Sequence, residues 1–139
     1  GGPIAVGLLR EAGWHCPDAE VIADGAGSVA DALRRAAARG IRLVVTTGGT
    51  GIGPRDLTPE GTRRVITREL PGIAEELRRR GLADTPLSVL SRGLAGIVDP
   101  AGMLVVNLPG STRAVASGVP VVLGVAAHIL DQVEGGDHS

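Results

Sequence analysis

Aromatic residues and cysteines are almost absent from this sequence. Trp14 is the one aromatic residue among 139, and there is no Phe or Tyr. Proteins that bind single-stranded nucleic acid stack the bases on aromatic side chains, so the composition argues against that class. Cys16 is the one cysteine, which excludes an internal disulfide and a cysteine-based zinc cluster. A chain without disulfides fits a reducing compartment, and we expect a cytoplasmic protein.

The sequence also lacks a strong charge and a long apolar run. Its net charge is −1, so bulk charge gives no sign of a nucleic-acid partner. No uninterrupted apolar run reaches the roughly 18 residues of a membrane-spanning helix, and we expect no membrane partner. What the chain has instead is aliphatic residues, which make up most of its 43% hydrophobic content. The length fits one domain, residues 1–139.

Helical and strand patterns alternate along the chain. The spacing of apolar residues predicts helices over 4–13, 29–39, 58–69 and 72–80, with Ser28 and Thr58 as N-caps, and one helix or a pair of helices over 112–133. It predicts strands over 19–23, 41–47, 87–90, 95–98 and 103–107. The β-branched run in 41–47 is typical of a strand buried on both faces. Alternating elements of this kind predict a three-layer α/β/α fold with a mostly parallel central sheet.

The start of the chain is unusual for such a fold. Gly1-Gly2-Pro3 leads directly into a helical pattern, whereas an open α/β fold of this type begins with a strand. We therefore expect that an N-terminal strand of the fold is missing from this sequence.

The segment TTGGTGIGPRDLTPE, residues 46–60, is the strongest local signal. Glycines let a backbone approach a ligand closely, and consecutive main-chain N–H groups can cradle an anion. Arg55 adds a positive charge, and Asp56 adds a carboxylate suited to Mg²⁺. The spacing fits neither a P-loop nor a dinucleotide fingerprint. From composition alone, an anion-binding loop and a plain connecting loop both remain open.

Asp24 is a second carboxylate at the end of a predicted strand. An Asp before Gly is usually a turn residue. The predicted topology, however, could bring Asp24 and Asp56 together on one cation. Nucleotidyl transfer needs positioning and charge neutralisation, which two carboxylates and a glycine loop could supply.

Three motifs follow one another in a fixed order: TTGGTGIGPRDLTPEGT at 46–62, LSRGLAGI at 90–97 and VVNLPGS at 105–111. Together they resemble the molybdopterin-binding family that includes MogA, MoaB and the G domains of plant and animal molybdenum-cofactor proteins. The resemblance implies a homotrimer that binds molybdopterin and ATP with Mg²⁺, adenylylates the molybdopterin phosphate and releases pyrophosphate. It also implies the molybdate-inserting enzyme of the same pathway as a partner.

The resemblance assigns roles to particular residues. The catalytic and metal-binding carboxylates fall on Asp24 and Asp56. The substrate-binding residues fall on Thr47, Gly48, Gly49, Thr50, Gly51, Arg55, Ser91, Arg92, Asn107, Pro109, Gly110 and Ser111. Two features depart from the family pattern: the Ser-Asp-Arg loop that follows the N-terminal strand is absent, and no acidic residue follows Asp24.

Three other functions stay open on the sequence. The chain could be a MoaB-like protein that binds molybdopterin without catalysis. It could be the related domain of competence-damage proteins, which act on nucleotide-derived substrates. It could also be a purely structural α/β trimer subunit.

Overall fold

The computed structural model describes residues 2–135 and contains five α-helices and four strands within them. The helices are α1 (Gly2–Glu11), α2 (Ala26–Ala38), α3 (Thr58–Arg63), α4 (Pro71–Gly81) and α5 (Thr112–Val133). The strands are β1 (Leu43–Thr47), β2 (Arg68–Glu69), β3 (Ala95–Val98) and β4 (Met103–Leu108). A short 3₁₀ helix, Pro86–Leu90, lies between α4 and β3.

The four strands form one sheet in the order β1-β4-β3-β2. β1 runs parallel to β4, whereas the β3–β4 and β2–β3 pairs are antiparallel. The α/β class is confirmed, but the sheet is mixed rather than mostly parallel within residues 2–135. The four-residue connection at 99–102 explains the antiparallel β3–β4 pair, because a parallel crossover needs a dozen or more residues and a short turn gives a hairpin.

Helices cover both faces of the sheet, which confirms the three-layer arrangement. β4 is buried along its whole length, and its side chains alternate between the two faces. Leu104, Val106 and Leu108 join the core formed with α1 and α5. Met103 and Val105 point the other way, into the core formed with α2.

β1 is an edge strand of the described sheet, and both of its faces pack on a core, Leu43 and Val45 on one side and Val44 on the other, although its burial is incomplete. All five of its residues are only half-buried. Within residues 2–135, no strand pairs with its other edge. The predicted strand over 19–23 is wrong: the segment is irregular, and Val21 is 95% exposed. A strand forms only where a neighbour supplies ladder hydrogen bonds, and within residues 2–135 no strand pairs with this segment.

Local details also differ from the predictions. The helix predicted over 58–69 ends at Arg63, because the chain then turns and pairs with β3 as β2. The segment 87–90 is 3₁₀ helix rather than strand. The N-cap of α2 is Gly25 rather than the predicted Ser28, and the N-cap of α3 is Leu57 rather than the predicted Thr58.

The last helix, α5, is long and apolar. An 18-residue window of this 22-residue helix has a mean hydropathy of 1.7, enough by length and composition to cross a membrane. Val115, Val119, Val122 and Ala126 are nevertheless fully buried against the sheet and its neighbouring helices. Core helices commonly pass the same test, so the hydropathy of α5 is weak evidence for a membrane span.

Candidate functional site

A cleft of about 730 Å³ opens at the carboxyl ends of β1 and β4. Because these two strands are parallel, with Thr47 opposite Leu108, the loops that follow them lie side by side. One wall consists of these loops and the start of α5. The other consists of the end of α4 and the 3₁₀ helix, with Leu77, Leu87 and Leu90 as its apolar part. The volume is in the range that holds a small-molecule ligand.

The two loops approach each other through glycines. The N–H of Gly48 donates to the carbonyl of Leu108 at 2.8 Å. A Cβ atom on Gly110 would lie 3.3 Å from the Cα of Gly48. Gly48 and Gly49 both have positive φ, 91° and 70°, which side-chain-bearing residues rarely adopt. Larger residues here would push the loops apart and change the shape of the wall.

The glycine loop presents a run of unused main-chain donors. Gly49, Thr50, Gly51 and Ile52 all line the cleft. Within residues 2–135, no acceptor pairs with the N–H group of any of the four. Successive free N–H groups in a turn form an anion-binding concavity. The wall therefore offers a place for a phosphate or another small anion.

Asp56 lies in the same loop and lines the cleft. Its Oδ2 accepts a hydrogen bond from the N–H of Gly53 at 2.9 Å, which leaves Oδ1 for a ligand. In the described part of the chain, no group of three or more His, Cys, Asp or Glu residues could hold a metal. One carboxylate nonetheless fits Mg²⁺, since this ion commonly combines one or two carboxylates with substrate phosphates and water.

Arg92 joins the glycine loop to α3. Its guanidinium donates to the carbonyls of Gly51 and Asp56 and to the carboxylate of Glu60. The hydrogen bond between Arg92 and Glu60 holds the pKa of Glu60 below its ordinary value and raises the pKa of Arg92. The side chain is committed to protein groups and does not line the cleft.

Comparison with known proteins identifies the family. A family model described as "Probable molybdopterin binding domain" matches residues 1–128. The chain belongs to this molybdopterin-binding family. A solved Mog protein of molybdopterin biosynthesis from Mycobacterium ulcerans is 44% identical, with a TM-score of 0.89 over 96% of this chain and 86% of that chain.

The curated relatives that match this chain are longer than it is. The molybdenum cofactor biosynthesis bifunctional protein of Synechococcus elongatus is 36% identical over 137 residues, which are 99% of this chain and 42% of that protein. The molybdopterin adenylyltransferase of Helicobacter pylori J99 is 40% identical over 93 residues, or 67% of this chain and 52% of that protein. The chain thus spans about half of these relatives or less.

Most of the substrate-binding residues predicted from the family resemblance do meet in the cleft. They are Gly48, Gly49, Thr50, Gly51, Ser91, Pro109, Gly110 and Ser111, and the predicted metal ligand Asp56 lies with them. Ser111 also caps α5, since its Oγ accepts from the N–H of Ala114 at 3.1 Å.

The other predicted residues do not line the cleft. Asp24 is exposed and lies just before α2, so the structure does not bring it to the cleft with Asp56. Arg55 is exposed, and Thr47 is half-buried at the end of β1. Asn107 is 2% exposed and hydrogen-bonded in the interior, to the N–H of Leu94 and two threonine hydroxyls.

Two charged residues that line the cleft, Asp84 and Arg113, are absent from the sequence prediction. Arg113 is exposed in the first turn of α5 and is the one basic side chain that lines the cleft within residues 2–135. The sequence carried a signal for it, because the helix predicted from residue 112 begins directly after the NLPGS motif. A basic residue two positions beyond that loop, in the first turn of the helix, is expected close to a ligand that the loop binds.

Proposed function

We propose that this chain acts in molybdenum-cofactor biosynthesis by binding molybdopterin and transferring AMP from MgATP to its phosphate. The observation that carries the proposal is the run of unpaired N–H groups from Gly49 to Ile52, set beside Asp56 in a cleft of ligand size. The name of the Helicobacter pylori relative, a molybdopterin adenylyltransferase, supports the same reaction.

Different groups of the chain would bind different parts of the substrates in this reaction. The N–H groups of the glycine loop hold the molybdopterin phosphate, and the apolar wall with Leu87 and Leu90 covers uncharged parts of the ligands. An oxygen of the bound phosphate attacks the α-phosphorus of ATP. A new P–O bond forms, the bond to the β-phosphate oxygen breaks, and pyrophosphate leaves.

Charge neutralisation would come from two sides. Arg113 lies where its guanidinium can offset negative charge on either set of phosphates. Mg²⁺, held by Asp56 together with substrate phosphates, supplies charge stabilisation for phosphoryl oxygens. Preorganised charge of this kind is the main contribution that a protein makes to nucleotidyl transfer.

The test is pyrophosphate release from MgATP and molybdopterin. Asp56→Asn keeps the size of the side chain and an oxygen that can accept from Gly53, but it removes the charge. We expect kcat to fall by roughly two orders of magnitude, because a metal's charge stabilisation is worth several kcal/mol. Molybdopterin affinity should stay near that of the unsubstituted chain. Asp18→Asn, at an exposed residue paired with Arg10, is the control.

Turnover of Asp56→Asn at the control rate would rule out the role of Asp56. Asp24→Asn tests the remaining prediction from the family resemblance in the same assay, since Asp24 lies outside the cleft lining. Loss of activity in that variant would bring Asp24 into the site in the presence of substrates. The predicted homotrimer and the docking of a molybdate-inserting enzyme stay predictions, which light scattering with and without that enzyme would test.

A second candidate is a protein that binds molybdopterin without catalysis. It is favoured by one observation: the cleft contains one of the two predicted metal-binding carboxylates rather than both. This candidate predicts saturable molybdopterin binding with no pyrophosphate release at any MgATP concentration.

A further inference from the structure

We propose that Arg92 is a positioning residue that directs the N–H groups of Gly51 and Ile52 toward the anion bound in the cleft. This inference rests on the proposed function, because it explains how the glycine loop acquires its anion-binding geometry. It gives Arg92 a role behind the loop, in place of direct contact with phosphate or pterin.

Arg92 contacts the loop through three carbonyl groups. Its main-chain N–H donates to the carbonyl of Thr50 at 2.9 Å. Its Nε donates to the carbonyl of Gly51 at 2.8 Å, and its Nη2 donates to the carbonyl of Asp56 at 2.5 Å. Three carbonyls of one loop therefore face a single residue, which lies 36 to 42 positions further along the chain.

Because the peptide bond is planar, these contacts also fix the direction of the neighbouring N–H groups. In a trans peptide, the carbonyl of one residue and the N–H of the next point in opposite directions. The peptides after Thr50 and Gly51 are trans, since the one cis bond within residues 2–135 precedes Pro100. With both carbonyls turned to Arg92, the N–H groups of Gly51 and Ile52 must face away from it. These are two of the four unpaired donors in the cleft wall.

A loop of this composition needs an external restraint. Glycine loses more conformational freedom on folding than any other residue, and positions 48, 49, 51 and 53 are all glycine. Fixed donors bind an anion better than mobile ones, because the ordering cost is met during folding rather than on binding. Arg92 supplies that restraint through its backbone and two guanidinium nitrogens.

Glu60 holds the guanidinium in place from α3. The Nη1 of Arg92 lies 2.6 Å from Oε2 of Glu60, and Nη2 lies 3.3 Å from Oε1. A planar guanidinium can serve a carboxylate and two carbonyls at the same time. A lysine ammonium is a point donor on a flexible stem and cannot reproduce this fork. Arg92→Lys should therefore keep only part of the phosphate affinity that Arg92→Gln loses.

The experiment is a titration with inorganic phosphate, followed by amide resonances in ¹H–¹⁵N spectra of the whole chain. In the unsubstituted protein, the amides of Gly51 and Ile52 should shift saturably with phosphate. In Arg92→Gln, the main-chain bond to Thr50 remains, so the Ile52 amide should be displaced or broadened without phosphate more than the Gly51 amide. Kd for phosphate should rise by about tenfold, the equivalent of one weakened charge-assisted hydrogen bond. Arg92→Lys should lie between the two.

Arg10→Gln is the matched control. Arg10 also donates its guanidinium to a main-chain carbonyl, that of Cys16 at 2.7 Å, and to a carboxylate, but it does not line the cleft. It should leave the Gly51 and Ile52 amides and the phosphate Kd unchanged. Amides of β4 monitor the fold in every variant. A merely structural role for Arg92 would lower stability without displacing the Ile52 amide selectively in the folded protein.

The outcomes separate this inference from the proposed function. If Arg92→Gln binds phosphate with the Kd and the Gly51 and Ile52 shifts of the unsubstituted chain, the positioning role is wrong, and the proposed function stands. If phosphate leaves the loop amides of the unsubstituted chain unmoved, the anion site itself is wrong, and the proposal for Arg92 is overturned with it. If Arg92→Gln does not fold, the comparison of Arg92→Lys with the unsubstituted chain decides by the same criteria.

Discussion

Replacement of Asn107 by leucine should destabilise the fold strongly, because this side chain connects three parts of the interior. Its Oδ1 accepts from the N–H of Leu94 at 3.0 Å. Its Nδ2 donates to the Oγ1 of Thr46 at 2.9 Å and to the Oγ1 of Thr62 at 3.1 Å. The asparagine therefore links β4 to the start of β3, to β1 and to α3, directly beneath the cleft.

The size of the effect follows from these bonds. Leucine is close to asparagine in size, so the change tests the polar contacts rather than creating a large cavity. A buried N–H group left without an acceptor costs about 1–3 kcal/mol, and each lost hydrogen bond about 1 kcal/mol more. Apolar contacts of the new side chain offset part of this. We expect a loss of about 3 kcal/mol in the free energy of unfolding, or about 10 °C in Tm for a domain of this size.

Thermal and urea unfolding would measure the loss, with Thr62→Val as a companion variant. Thr62 is fully buried, and its valine variant removes one of the three contacts, at a cost of about 1 kcal/mol. The double variant should lose less than the sum of the two, because it no longer leaves the Thr62 hydroxyl without its partner. An Asn107→Leu chain with unchanged Tm but greatly weakened molybdopterin binding would refute the reasoning, since it would show that this side chain serves the ligand.

Two further predictions concern stability elsewhere in the fold. Gly61→Ala should destabilise by about 1–3 kcal/mol in thermal melts, because its Cβ would lie 2.6 Å from the Cβ of Val29 in α2. Gly72→Ala in α4, where the new atom meets nothing within 4 Å, should hold or raise Tm, and equal losses in both variants would contradict the packing argument. Hydrogen bonds from Arg79 and its neighbour lower the pKa of Glu76 to about 2 from its usual 4.5. That carboxylate therefore stabilises the fold above pH 4.5 and loses its effect as the pH falls toward 2, so the Tm difference between the unsubstituted chain and Glu76→Gln should shrink over this range. A difference that does not change with pH would contradict the assignment.

Local sequence signals predicted some elements well. The turn residues at 99–102 and the apolar runs on either side predicted the β3–β4 hairpin. The range 112–133, predicted as one helix or a pair of helices, is the single helix α5. The run at 87–90 misled because a short apolar segment does not distinguish strand from 3₁₀ helix by periodicity. The local pattern predicts a helix at residues 68–69, because pairing with β3, some 30 positions away, leaves no local signal.

In the candidate site, too, local features were predictable from the sequence and contacts with distant residues were not. A glycine run predicts an anion loop by itself, since the backbone conformations it permits are a local property. Whether a motif residue touches the ligand or supports the loop depends on distant partners. Arg92 reaches Gly51, 41 positions away, and Asn107 reaches Thr46, 61 positions away. Both residues belong to sequence motifs that resemble those of the family, and the motifs alone assigned both to the substrate.

A motif at such a site contains residues that line the cleft and residues that support the loop. A main-chain anion site has no side chain that defines its specificity, so its shape depends on what holds the loop from behind. Asn107 secures β4 below the cleft, and Arg92 secures the carbonyls of the glycine loop beside it. A substitution at either position can therefore change the cleft without removing any group that lines it. Loss of activity in such a variant would not identify a substrate contact, and the amide spectra and unfolding energies proposed above are the measurements that separate the two causes.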